Sequence, residues 1–205
     1  MKLYFSPGAC SLSPHIILRE AGYTFDTEKV SLADKKTASG TDYRTINPKG
    51  YVPALQLDNG EVLTEGPAIV QYLADRKPEA KFAPANGTLE RTRLQEWLNF
   101  ITSEIHKSFS PLFNSEMPDA AKAIYREKIA QRFALIDTTL AKQDYLLGPN
   151  ASVADVYLFV VARWSNNFDI DLDRWPALAK FMDRMAERAS VKAALNAESQ
   201  ARKAA

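Results

Sequence analysis

The stretch SPGACSLSPH, residues 6 to 15, holds the only cysteine of the chain. Residues before Cys10 have the pattern of a strand end, and those after it that of a helix start. A thiol at such a junction faces unpaired backbone N–H groups and the positive end of the helix dipole. These surroundings lower a thiol pKa from about 8.5 into the range of roughly 3.5–7.5 and make the sulfur a nucleophile. The competing role is a small buried hydrophobe, and position alone leaves both open. Two further segments have chemistry in reach. In NPKGYVPAL, Pro53 directly precedes a strand; a cis Val52–Pro53 bond would present the Val52 backbone to an extended peptide, while trans is the commoner state. In TEGPAIVQYL, Pro67 suits the first helical position, which makes Gly66 the cap, with amide donors open to an anion, and leaves Glu65 as a carboxylate for an ammonium. The plainer reading is a well-capped helix with a solvated glutamate. Lys35 beside Lys36, and His106 beside Lys107, read as solvated positions, and His15 as packed or exposed.

These residues must be held by elements that the patterning supplies. Residues 2–6 and 25–30 read as strands flanking a helix over 11–21 that Gly22 stops, a βαβ unit. Residues 31–50 are polar, with one weak helical turn at most. A strand, an Asn59-Gly60 turn, a second strand and a helix follow, giving β-α-β-(α)-β-β-α over residues 1 to about 77. Residues 77–88 carry two prolines and Asn86-Gly87 and read as a link. Helices are expected over 89–115, 119–142, 152–167 and 176–189, with an Ala-rich, frayed C-terminus. In the first of these, Leu94, Trp97, Leu98, Ile101 and Ile105 share one face, and Asn99, Ser103 and His106 a different, polar one. Ser152 to Asp155 (SVAD) forms a capping box, with Ala151 and Val156 at the staple positions.

Composition narrows the classes. The chain has 205 residues, 46% hydrophobic and 25% charged, enough for one large or two small domains with a proper core. Lys and Arg total 26 against 25 Asp and Glu, so no net field draws the protein to nucleic acid or an anionic membrane. The N-terminus lacks a signal-peptide core and no apolar run approaches a bilayer span, which points to the cytoplasm. With one cysteine and two histidines lacking metal-ligand spacing, neither an internal disulfide nor a structural metal is expected.

Together, KLYFSPGACSLSPH, NPKGYVPAL, TEG with PAIVQYLAD, the WLNFITSEIHK helix and GPNASVADVYLF, in order along essentially the whole chain, make the sequence similar to bacterial beta-class glutathione transferases. In that class a cysteine stands where relatives use tyrosine or serine. The resemblance implies an α/β thioredoxin-like N-terminal domain over residues 1–80, a linker over 81–88 and an all-α domain over 89–205, arranged as a homodimer. It implies that Cys10 lies against the sulfur of glutathione, the co-substrate, with Ala9 alongside. It further implies that the backbone at Tyr51, Val52 and cis Pro53 pairs with the cysteinyl unit, that Glu65 and Gly66 hold the γ-glutamyl end, and that Lys35 reaches a glutathione carboxylate. From the helical domain it implies Asn99, Ser103, His106 and Lys107, with His106 second to Cys10 as a catalytic group, and Glu104 as a contact across the dimer interface.

The implied activity is conjugation of glutathione to a small hydrophobic electrophile, in a pocket drawing on Tyr4, Phe5, Phe109, Phe113 and Trp164. The alternatives are a glutathione-dependent thiol-disulfide reductase or reductive dehalogenase, and a non-catalytic glutathione or hydrophobic-ligand binder. One departure stands out: the family often has serine at the position of Gly66, so an anion there must rely on backbone donors, and weakened or water-assisted glutathione binding is expected.

Overall fold

Short alternating runs at the N-terminus form a mixed sheet in a computed structural model that describes residues 1–203. Strands β1 (Lys2–Phe5) and β2 (Asp26–Ser31) are parallel and joined through helix α1 (Leu12–Glu20). A two-residue strand β3 (Lys36–Thr37), not anticipated from the polar 31–50 segment, pairs antiparallel with β2. The expected helical turn of that segment is a 3₁₀ turn at Tyr43–Thr45. The hairpin of β4 (Ala54–Gln56) and β5 (Val62–Thr64) completes the order β3-β2-β1-β4-β5. Its turn closes through Gly60 N–H to Leu57 C=O at 3.0 Å, with Gly60 at φ +87°, a left-handed conformation glycine adopts at no steric cost.

Helix α1 ends as its sequence directs. Gly22 at φ +64° allows Tyr23 N–H to reach Leu18 C=O and Gly22 N–H to reach Arg19 C=O, the paired closure of a Schellman motif. The helix buries Leu12, Ile16, Ile17 and Leu18 and packs on helix α2 (Gly66–Arg76), whose Ile69, Val70 and Leu73 are also buried.

The remaining helical path begins with α3 (Leu89–Phe100), capped by the Thr88 hydroxyl, which accepts from Arg91 N–H. The single helix expected to residue 115 changes pitch instead: a π-helical turn at Ile101–His106, a short α4 (Lys107–Phe109), then a 3₁₀ turn to Phe113. The hydroxyls of Thr102, Ser103 and Ser108 each donate to the carbonyl four residues back, at 2.7–2.9 Å, along this irregular stretch. Helices α5 (Asp119–Leu140), α6 (Val153–Ala162), α7 (Pro176–Ala186) and α8 (Ala189–Lys203) follow. All ten residues of α6 are buried, and its start is fixed by the anticipated capping box. The Asp155 carboxylate accepts from Ser152 N–H (2.8 Å), the Ser152 hydroxyl (2.7 Å) and, in addition, Leu146 N–H (2.8 Å).

Two units result: residues Met1–Ala83 with the segment from Glu187 onward, and residues Pro84–Ala186. The last helix therefore groups with the strand-bearing unit, whereas the sequence reading put 89–205 together. It is helical through Lys203 where a frayed terminus was expected, residues 204–205 lying outside the described residues, because Val191, Ala194 and Glu198 are buried on one face and α8 packs along α1. Each unit has its own core: Leu3, Ile16, Val30, Leu55 and Val70 in the first; Leu98, Ile105, Ile129, Phe133 and Phe181 in the second.

Candidate active site

In the first unit, the loop that carries the thiol is tied by its own side chains. The buried Ser11 hydroxyl accepts from Ser6 N–H at 3.1 Å and donates to Ser6 C=O at 3.2 Å, closing residues 6–11 into a tight bend that includes Ala9. Cys10 sits two residues before α1, and its Sγ donates to the Val52 carbonyl at 3.2 Å. The residue is half-buried, yet desolvation dominates its thiol and pushes it up to about 12. The backbone N–H groups of Cys10 and Ser11 act in the opposite direction, as the helix-start argument requires, but they lose, and the Glu65 and Glu198 carboxylates raise the value further. Of the two roles that position left open, this burial favours the neutral S–H over the thiolate.

The partner loop is equally built. Val52–Pro53 is cis. Tyr51 is exposed, but its carbonyl accepts from the buried Tyr43 hydroxyl (2.9 Å) and the buried Asn47 side-chain amide (2.7 Å). Val52 itself is buried, and its carbonyl, expected to be open for pairing, already accepts the Cys10 thiol.

Glu65, not Gly66, is the cap of α2; it holds φ +68° and ψ +108°, a conformation costly for a side-chain-bearing residue, and Gly66 begins the helix. The Glu65 carboxylate meets Lys49 Nζ at 2.6 Å. Lys35, at φ +58°, sends Nζ to the Gly50 carbonyl at 3.1 Å and over the Tyr51 ring. Lys49, Tyr43 and Asn47 were not singled out from sequence; the NPKG context contains Asn47 and Lys49, and no local signal marked Tyr43. Cys10, Val52, Pro53 and Gly66 converge, since a Cβ on Gly66 would lie 3.7 Å from Pro53 and from Ser13 Oγ.

In the second unit, the polar residues divide. Asn99, Ser103 and Lys107 are exposed, and Ser103 spends its proton on the Asn99 carbonyl at 2.9 Å. Glu104, expected at a dimer interface, is engaged within its own unit by Arg132 at 2.9 Å and Lys128 at 3.7 Å, cations that hold its carboxyl below the usual range. His106 is half-buried, with Nδ1 2.5 Å from the Tyr157 hydroxyl and its ring edge-on to Trp164 at 4.9 Å. Of the side chains expected to line an electrophile pocket, Tyr4, Phe5 and Phe109 are core, at 4%, 3% and 0% exposure. Trp164 is nearly covered, whereas Phe113 is exposed and stacks edge-on with Phe168, which the sequence reading missed, and with Trp164. Among the described residues no group of His, Cys, Asp and Glu has the arrangement of a metal site, and no helix is long and apolar enough to cross a membrane.

A mixed five-stranded unit with its lone thiol ahead of the first helix, continued by a helical unit, has the two-part build of the thioredoxin-like transferases. The chain belongs to the glutathione S-transferase family: residues 8–76 match the family's N-terminal domain and residues 100–189 its C-terminal domain. It is 43% identical to glutathione S-transferase GstA of Escherichia coli O157:H7, over 97% of this chain and 98% of that one. Among solved structures it is similar to BphK, a bacterial glutathione transferase in a ternary complex (58% identity, TM-score 0.96, 97% and 100% of the chains). It is also similar to a sphingomonad glutathione S-transferase complexed with glutathione (49%, 0.94, 97% and 99%), and a beta-class enzyme of Sphingomonas chungbukensis gives the same identity and TM-score over 97% and 98% of the chains.

Proposed function

We propose that the protein is a beta-class glutathione transferase that conjugates reduced glutathione to small hydrophobic electrophiles. The observation that carries the reading is the Cys10 thiol lying 3.2 Å from the Val52 carbonyl, beside the start of α2. A tripeptide adding to the Val52 backbone by strand-type pairing brings its own sulfur to Cys10. Glu65 then takes the glutathione ammonium, the first amides of α2 its adjoining carboxylate, and Lys35 the other carboxylate. Lys49 must yield Glu65 to that ammonium.

With its proton retained but turned away from the Val52 carbonyl, Cys10 acts as an S–H donor to the glutathione sulfur, favouring the glutathione thiolate without itself being the nucleophile. The family resemblance assigns Asn99, Ser103, His106 and Lys107 to glutathione as well, and Phe113 and Phe168 offer aromatic surface to an electrophile. Holding thiolate and electrophile together converts a two-body reaction into a nearly unimolecular one. A cytoplasmic, homodimeric, detoxifying enzyme completes the reading.

Titration calorimetry with reduced glutathione, followed by conjugation assays on a panel of aryl halides, epoxides and disulfides, tests it. Saturable heat and glutathione-dependent product are expected; no heat on adding the tripeptide overturns it. Binding without turnover of any electrophile would leave a carrier instead of an enzyme.

A further inference from the structure

Helix α6 is buried along its whole length, and Tyr157 in its middle is 1% exposed. A buried phenol hydroxyl needs a hydrogen-bond partner. Here Tyr157 Oη lies 2.5 Å from His106 Nδ1, with the two rings at 67° and centroids 5.8 Å apart. Trp164 meets the same imidazole edge-on. His106 closes the π-helical turn, so its ring is set by that wider turn on one side and by two aromatic neighbours on the other. The capping box at Ser152 and Asp155 fixes the start of α6 and with it the height of Tyr157.

The direction of this bond follows from acid-base chemistry. A phenol is a better proton donor than a neutral imidazole N–H, and an imidazole nitrogen is a far better acceptor than a phenol oxygen. O–H···N is therefore the favoured arrangement.

We propose that Tyr157 is the positioning residue for His106: its hydroxyl donates to Nδ1, fixes the imidazole as the neutral Nε2–H tautomer, and so gives the glutathione site an N–H donor in place of a lone pair. The catalytic consequence rests on the reading of His106 as part of that site; the tautomer does not. In that role Nε2–H stabilises negative charge on sulfur and does not remove the thiol proton, because its lone pair lies on the nitrogen that Tyr157 occupies. The proton lost by glutathione then leaves by another route, to solvent.

The chain has two histidines, so long-range ¹H–¹⁵N correlation spectra of ¹⁵N-labelled full-length protein resolve both rings, with His106→Asn assigning the pair. Wild type is expected to show a protonated, pyrrole-type Nε2 and an unprotonated, pyridine-type Nδ1 at His106. A protonated Nδ1 overturns the proposal without any variant of Tyr157 being needed. In Tyr157→Phe, which keeps the ring volume, the single-tautomer pattern is expected to give way to exchange between both forms. Persistence of the same tautomer in that variant overturns it.

For the catalytic consequence, Tyr157→Phe is expected to lower kcat/KM for conjugation of glutathione to an activated aryl chloride roughly five- to tenfold. In a His106→Asn background it is expected to cost nothing more, and an equal loss in both backgrounds shows that Tyr157 acts by general packing and overturns the positioning role. If His106→Asn alone keeps full activity, the catalytic role of His106 fails, while the spectra still decide the tautomer.

Discussion

The Glu198 carboxylate on α8 meets His15 Nδ1 on α1 at 3.1 Å, and both groups are almost fully buried. The second carboxylate oxygen of Glu198 accepts Gly8 N–H at 2.8 Å, two residues before Cys10. His15 in turn accepts Arg19 Nε at its Nε2, which leaves Nδ1 as the proton-bearing nitrogen facing Glu198. One side chain near the C-terminus thus holds both the thiol loop and the first helix.

Glu198→Ala removes an acceptor from two donors at once, the buried His15 ring and the partly buried Gly8 N–H. Hydrogen bonds to a charged group contribute about 1.5–3 kcal/mol each, so urea unfolding is expected to show a loss of at least that size. Glu198→Gln, which keeps one acceptor oxygen, is expected to lose less. Equal midpoints for wild type and Glu198→Ala would show that α8 does not support the thiol loop.

Cys10 is expected to remain protonated through neutral pH. Alkylation by iodoacetamide should rise with pH and show no plateau below about pH 10, given a folded value of about 12 against 9.0 without burial. An unfolded chain ionises this thiol at lower pH than the folded one, so the folded state binds more protons in between. Stability attributable to Cys10 is full below about pH 9 and declines as pH climbs toward about 12. A plateau near pH 6–7 would instead restore the dipole-stabilised thiolate. Since the S–H is a weak donor, Cys10→Ala is expected to slow conjugation only by about two- to tenfold. The same variant should lose the glutathionyl adduct that oxidised glutathione forms when the Cys10 thiolate displaces one glutathione thiolate at high pH.

Gly66→Ser should be accepted by the fold. Its added Cβ meets only ordinary contacts, 3.7 Å from Pro53 Cγ and from Ser13 Oγ, and Gly66 is not in a positive-φ conformation. The hydroxyl supplies a donor at the start of α2, so KM for glutathione is expected to fall by about two- to fivefold at unchanged or raised Tm. A higher KM would mean that the backbone amides alone set the site.

Asp155→Ala strands the buried N–H groups of Leu146 and Ser152, each costing about 1–3 kcal/mol, whereas Ser152→Ala costs about 0.5–2 kcal/mol. Thermal unfolding that ranks the two variants in the reverse order would show that the box, and not the Leu146 tether, is the larger contributor.

Local chemistry was legible in the sequence. The Gly22 stop, the turn at Asn59-Gly60 and the box at Ser152 and Asp155 each depend on a few neighbouring residues, and each formed where the residue types require. The pitch change at Ile101–His106 was not legible, because the apolar positions Leu94, Leu98, Ile101 and Ile105 fit a regular helix equally well. Nor was the order of α8: its buried face is Val191, Ala194 and the acidic Glu198, a pattern with no apolar stripe, whose partner His15 lies 183 residues away.

By itself the sequence determined the two-part build, the thiol ahead of the first helix and the loop at Val52 and Pro53, since strand and helix periodicity and glycine and proline geometry act over a few residues. The ionisation of Cys10, the capture of Glu104 by Arg132 and the holding of His106 by Tyr157 were decided only in three dimensions. Desolvation, ion pairing and buried hydrogen bonds depend on which distant segments come within a few ångströms, and at Cys10 that enclosure outweighs the pull of the nearest backbone amides.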